Sequence, residues 1–225
     1  MGILWGQAAR QDEEYRGHWR THADRVRPDE LVWAVLGDSA AVGVGAAHIG
    51  ESYVSQVATR LEAELGRPVR VVNLAVSGAT AATVLADQVP RLADVESADA
   101  VTCVVGGNDV AWPRRFRIEA FAEPMEEIAR RLPAGSTLGL TVSFWRGPWE
   151  RRARLVNAAV RDIAARHGHG VADIYTPTAA RGPRDRIARL SQDRFHPNGT
   201  GYEDWADAAH PEVLRQFRES LAART

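Results

Sequence analysis

The chain has no lysine: its 28 basic residues are all arginine, against 29 acidic ones, for a formal net charge of −1. GC-rich coding explains the arginine bias better than any function does. The charge balance excludes the strongly basic footprint that a nucleic-acid-binding surface needs. Cysteine is nearly absent too. Cys103 stands alone in the apolar run Ala100–Val105, where a thiol usually behaves as a small buried hydrophobe. A single cysteine excludes an internal disulfide, and nothing points to an oxidising compartment. No stretch approaches the roughly 20 apolar residues of a membrane span. Met1–Gly6 is apolar but too short for a signal peptide, and charges follow from Arg10 to Arg16. The expectation is a cytoplasmic protein with neither a membrane span nor a nucleic-acid partner. Oligomeric state is left open.

What is present reads as one ordinary globular domain. The chain has 225 residues, 45% hydrophobic and 25% charged, without repeats, low-complexity tracts or linkers. Residues 1–28 form an N-terminal arm and 29–225 the domain proper. Gln11–Arg25 has helical character, with Tyr15 and Trp19 on one face, and reads as a packing arm ended by Pro28. His18 and His22 have a spacing that can bind metal, but no third ligand accompanies them. They read as a solvated face, and no metal or other cofactor is expected.

From there strands and helices alternate. Apolar or β-branched runs at Leu31–Leu36, Val69–Leu74, Ala100–Val105, Ser136–Phe144 and Gly170–Tyr175 predict five strands. Helical periodicity predicts Tyr53–Leu65, Ala81–Leu92, Ile118–Leu132, Trp149–His167 and a last helix over Thr200–Ala223, bent or interrupted at Pro211. Pro177 to Arg194 reads as a loop. Such alternation implies βαβ units, a parallel sheet and helices on both faces, a three-layer α/β/α sandwich. The working site of such a sheet lies at the carboxyl ends of its strands.

Four short stretches fall just there. Gly37-Asp38-Ser39 ends the first strand and presents a hydroxyl, with a backbone N–H that can point at an oxyanion. Alone, Ser39 reads more readily as a helix N-cap. Gly78 follows the second strand and lets a ligand approach the backbone. Gly106-Gly-Asn108-Asp109 follows the third, and its Asn108 amide can donate to an oxyanion without carrying charge. Alone it reads equally as an Asx turn. Asp193-Arg-Phe-His196 precedes the last helix and pairs a candidate base with a carboxylate able to fix its tautomer.

In this order and in this strand context the four blocks resemble the SGNH hydrolases, also called GDSL-type esterases and lipases, over residues 31 to about 210. Ala40 stands where a leucine often follows the serine. The resemblance implies a flavodoxin-like five-stranded sheet of order 2-1-3-4-5 and ester hydrolysis through an acyl-serine. It implies Ser39 as nucleophile, His196 as general base and then acid, and Asp193 as the group orienting His196. The implied oxyanion hole is the N–H of Ser39, the N–H of Gly78 and the amide of Asn108. Asp38 and Asp109 would hold their loops.

Rival readings are weaker. Gly43-Val-Gly45-Ala-Ala-His48 begins like a dinucleotide loop, but His48 replaces the third small residue and no acidic residue ends the second strand. His167 and His169 flank Gly168 at a helix end, a capping position more than a metal site. A non-catalytic ligand-binding domain and an acyltransferase would use the same fold, the latter the same triad. For the small-molecule ester itself, Val110, Trp112, Phe116, Trp145 and Trp149 follow the third and fourth strands and are expected to form an apolar acyl or aryl subsite. Arg146 is a minor candidate for an anionic substrate group.

Overall fold

The computed structural model describes residues 2–145 and 147–224. Five strands, β1 (Leu31–Gly37), β2 (Val69–Asn73), β3 (Ala100–Val104), β4 (Thr137–Gly139) and β5 (Gly170–Ala172), pair in parallel in the order β2-β1-β3-β4-β5. This is the order and three-layer α/β architecture that the resemblance implies. Every residue of β1 and β3 is buried, which explains why both read as unbroken apolar runs and not as alternating ones. The chain leaves β1 toward β2 and crosses back to β3, so a crevice opens beyond the ends of β1 and β3.

One face carries α1 (Gly2–Ala23), α3 (Tyr53–Leu65) and α10 (Gly199–Ala223), packed through Tyr53, Tyr202 and Phe217. The other carries α6 (Glu119–Arg131) and α7 (Gly147–His167), packed through Phe121, Met125, Ile128, Val156 and Val160. Short helices fill the rim: α2 (Ser39–Val42), α4 (Ala81–Thr83), α5 (Gly107–Ala111), α8 (Tyr175–Ala180) and α9 (Pro183–Ala188). Cys103 is fully buried in β3, and burial pushes its thiol up to about 12.

Several expectations need correction. The helix expected over Ala81–Leu92 is one α-turn, then a π-turn at Val84–Gln88 and a 3₁₀ stretch at Val89–Asp94. Pro90 has no N–H to give to the carbonyl four residues back, so a regular ladder cannot run through it. The strands expected over Ser136–Phe144 and Gly170–Tyr175 are three residues each. After β4 the backbone turns to side chains instead: Asn157 takes both the N–H and the carbonyl of Thr141, at 2.9 and 3.0 Å. The loop expected from Pro177 to Arg194 holds α9 and most of α8. The last helix continues through Pro211.

The N-terminal helix does more than lie across the surface. Tyr15 and Trp19 are buried, and they donate to the carbonyls of Ala46 and Val42 at 3.0 and 2.9 Å. Gln11 bonds both Ala46 O and Gly45 N–H. Helix α1 thus braces the loop that follows α2. His22 is not simply solvated: it is half-buried, and its Nδ1 accepts from Val71 N–H at 3.3 Å. Among the described residues, no helix is long and apolar enough to cross a membrane.

Candidate active site

Strand β1 runs straight into the site. At its last residue a side chain is impossible, because a Cβ on Gly37 would lie 2.6 Å from Val104 O on β3. The buried Gln88 amide then brackets Gly37, accepting from its N–H at 2.9 Å and donating to its carbonyl at 2.8 Å. The π-turn that sequence periodicity cannot show is what delivers Gln88 here. Asp38 caps α2, its Oδ1 accepting from Ala40 N–H at 3.0 Å. The cap is therefore Asp38, and Ser39 is the first helical residue. At that position no carbonyl within the helix can take the Ser39 N–H.

Ser39 and His196 are each 7% exposed, and 2.8 Å separates Ser39 Oγ from His196 Nε2. His196 Nδ1 lies 2.6 Å from Asp193 Oδ2. The other oxygen of Asp193 accepts from Ser191 Oγ, Phe195 N–H and His196 N–H at 2.7, 2.8 and 2.9 Å. Burial works against the Asp193 charge, but these bonds and the one from His196 outweigh it and hold the carboxyl well below its usual range. An ionised Asp193 keeps the proton on Nδ1 of the imidazole. Nε2 is then the acceptor for the Ser39 hydroxyl.

The histidine loop is itself held tightly. Its base is closed by Ser191 N–H to His196 O at 2.8 Å. Asn198 caps α10 through Gly201 N–H at 2.9 Å. Gly45, at φ +100°, lets the loop come close: a Cβ there would sit 2.6 Å from His196 Cβ. The glycines that superficially resemble a dinucleotide loop serve this packing and the end of α2.

Asn108 is buried at the start of α5. Its Nδ2 donates to Ala79 O at 2.9 Å and lies 3.5 Å from Asp38 Oδ2, while its Oδ1 accepts from Trp112 Nε1–H at 2.8 Å. One amide proton is thus firmly engaged, and the second is only loosely held. Gly78 is exposed at φ +80° and sits beside Ala79, the Asn108 partner, but it does not line the cavity described below. Asp109 accepts from Ala81 N–H, tying α5 to the segment after β2. Burial pushes the carboxyls of Asp38 and Asp109 each up to about 6, against these N–H bonds.

A cavity of about 310 Å³ opens from Ser39, Asn108 and His196 toward α8 and α9. Of the five residues expected to bind substrate, only Trp145 lines it. Val110 is fully buried in the core, because α5 turns it inward. Phe116 lies beneath the Arg152 guanidinium at 5.4 Å. Trp149 donates to Ala111 O at 3.3 Å. Trp112 packs against Phe195 with tilted rings 5.3 Å apart, and Phe195 meets the His196 ring edge-on at 5.0 Å. Arg146 lies outside the described residues. The residues missed from sequence are four arginines on the cavity, Arg181, Arg186, Arg189 and Arg194. A signal was present: five arginines fall between positions 181 and 194, in a segment read as a plain loop. Among the described residues, no group of three or more His, Cys, Asp or Glu side chains could hold a metal ion.

Residues 35–203 match the model of the GDSL-like Lipase/Acylhydrolase family. Among curated proteins, none matches the sequence. Several solved structures share the fold. LAE5, an alpha/beta hydrolase enzyme from the metagenome of Lake Arreo, Spain, is 22% identical, with a TM-score of 0.66 over 83% of this chain and 96% of its own. Axe2, an acetylxylan esterase from Geobacillus stearothermophilus, is 21% identical at TM-score 0.64, over 81% of this chain and 94% of its own. The lipase Lip_vut3 from the goat rumen metagenome is 22% identical at TM-score 0.64, over 82% of this chain and 98% of its own.

Proposed function

We propose, since this chain belongs to the GDSL-like lipase/acylhydrolase family of ester hydrolases, that it is a serine esterase acting on carboxylic esters of small or medium acyl groups. The observation that carries this reading is the unbroken chain Asp193–His196–Ser39, linked at 2.6 and 2.8 Å and open to a cavity.

In the proposed reaction Ser39 Oγ attacks the ester carbonyl carbon while its proton passes to His196 Nε2. The resulting imidazolium is stabilised by Asp193. The tetrahedral oxyanion takes hydrogen bonds from the N–H of Ser39, the N–H of Gly78 and the second Asn108 amide proton, whose 3.5 Å contact with Asp38 is loose enough to give way to it. Collapse breaks the bond to the alcohol oxygen, which receives the proton from Nε2. Water then repeats the sequence on the acyl-serine, regenerating Ser39 and releasing the acid.

The cavity size favours short chains. At about 310 Å³ it stands at the small end of ligand sites. Across p-nitrophenyl esters from acetate to laurate, kcat/KM is expected to peak at short or medium length and to fall for the longest chains. A steady rise to laurate would contradict the size limit. Equal hydrolysis by wild type and Ser39→Ala would contradict the mechanism.

Trp112 enters as a positioning residue and not as a wall of the substrate site. Its indole N–H holds Asn108 Oδ1 and so decides which end of the amide faces the oxyanion. Trp112→Phe keeps an aromatic ring against Phe195 and removes that bond. Losing about 1–1.5 kcal/mol of orientation lowers kcat roughly tenfold, with KM little changed. A rise in KM at constant kcat would return Trp112 to the substrate site.

A further inference from the structure

We propose that the ester this site takes carries an anionic group, a carboxylate or phosphate, bound by Arg194 and Arg186 in the same cavity as Ser39. The inference rests on the serine-esterase reading and adds the substrate's charge.

Four arginines line the cavity, and their guanidinium groups differ in what they already bind. Arg181 is taken by Asp204 and Asp185, and Arg189 by the same two carboxylates and by Thr200 O. The acidic residues that line the cavity are Asp38, which caps α2, and Asp204. Neither is left over for another cation.

Arg186 and Arg194 have no such partner. Arg186 spends its hydrogen bonds on neutral oxygens: Arg181 O at 2.7 Å, Ala179 O at 2.7 Å and Ser143 Oγ at 3.3 Å. It lies over the Trp145 ring at 5.6 Å. Among the described residues no carboxylate pairs with it. The nearest acidic influence is Glu150, whose oxygens are already bonded to Ser143, Trp145 N–H, Arg154 and Tyr175. Arg186 is half-buried, and burial pushes its pKa down, as expected of a cation short of counter-charge. Three of the five donors of a guanidinium are used, and all three hold the group in place. That is the pre-organised fork which suits a carboxylate or phosphate.

Arg194 is the more telling residue. Its side chain makes no hydrogen bond or ion pair among the described residues, although Asp193 is its chain neighbour. Its φ is +57°, a conformation that glycine adopts freely and other residues adopt at a cost. Among the described residues, four non-glycine positions have positive φ: Asp29, Ser97, Trp145 and Arg194. Two of them, Trp145 and Arg194, line this cavity. The backbone bears that strain where a glycine would relieve it, and what the strain retains is an indole beneath Arg186 and, two residues before His196, an arginine with no ion-pair partner among the described residues.

Two matched pairs of esters test the proposal and separate the two possible positions of the anion. In p-nitrophenyl hemiglutarate against p-nitrophenyl valerate the acyl half carries the charge. In 4-carboxyphenyl acetate against 4-carbamoylphenyl acetate the alcohol half carries it. In at least one pair, wild type is expected to favour the anion at least tenfold in kcat/KM. Arg194→Gln should lower that ratio about tenfold, Arg194→Lys should restore part of it, and rising ionic strength should erode it. Arg194 is exposed and unpaired, so the variant is expected to melt with wild type. Ratios of one or below in both pairs, or a ratio unmoved by Arg194→Gln, would overturn the proposal while Ser39-dependent hydrolysis of the neutral esters left the esterase reading standing. If hydrolysis of the neutral esters does not depend on Ser39, the esterase reading itself fails, and this proposal with it.

Discussion

Ser39→Ala is expected to lose roughly four to six orders of magnitude in kcat/KM on p-nitrophenyl acetate. The loss is large because no neighbouring group replaces the hydroxyl. Asp38 is turned toward Ala40 and Asn108, and Cys103 is buried within β3. The remaining acceleration would come from the oxyanion donors and from binding, which do not need the serine side chain. Folding should survive. The hydroxyl makes one bond to His196, and removing it opens space for water on the cavity side. Melting within a few degrees of wild type therefore goes with the loss of activity. A variant that loses activity and also melts far earlier would say nothing of chemistry, so both are measured on the same preparation.

His196→Ala is expected to cost nearly as much, and the Ser39→Ala/His196→Ala double variant little more than either alone. Residues of a triad act as a unit, since an unactivated serine is a weak nucleophile and an imidazole without a serine has no proton to take. The packing makes a second substitution useful. His196 is buried against Gly45, so alanine leaves a void, whereas His196→Gln fills most of it without supplying a base. Both should be equally inactive. Additive losses in the double variant would mean that the two side chains act independently, which contradicts the proposed proton transfer.

Much of this arrangement was legible from residues alone, and the reasons are local. Strand β1 is apolar because helices cover it on both faces, and it stops at Gly37 because β3 leaves no room for a side chain. Asp193 and His196 lie three apart on one short loop, so their contact needs no long-range information. What could not be read depends on contacts distant in sequence or on short irregular turns. Ser39 reads as a cap until Asp38 is seen to take that role. The bond from Trp112 to Asn108 is one helical turn long, but an indole beside an apolar strand end reads equally as a pocket wall. Helices α8 and α9 are six residues each, amid Pro177, Gly182 and Pro183. Pro183 begins α9 at a position where its missing N–H costs nothing. Reading that segment as loop hid the arginine side of the cavity. Gln88 reaches Gly37 at the end of a π-turn, which a 3.6-residue periodicity does not reveal.

The central claim is that Ser39 is a nucleophile activated by His196. The most direct measurement is the intact mass of the protein after reaction with a fluorophosphonate, followed by peptide mapping. One adduct per chain is expected, on Ser39, absent from Ser39→Ala and formed far more slowly by His196→Ala. No adduct, or an adduct on another residue from a preparation that still hydrolyses p-nitrophenyl acetate, would contradict the account.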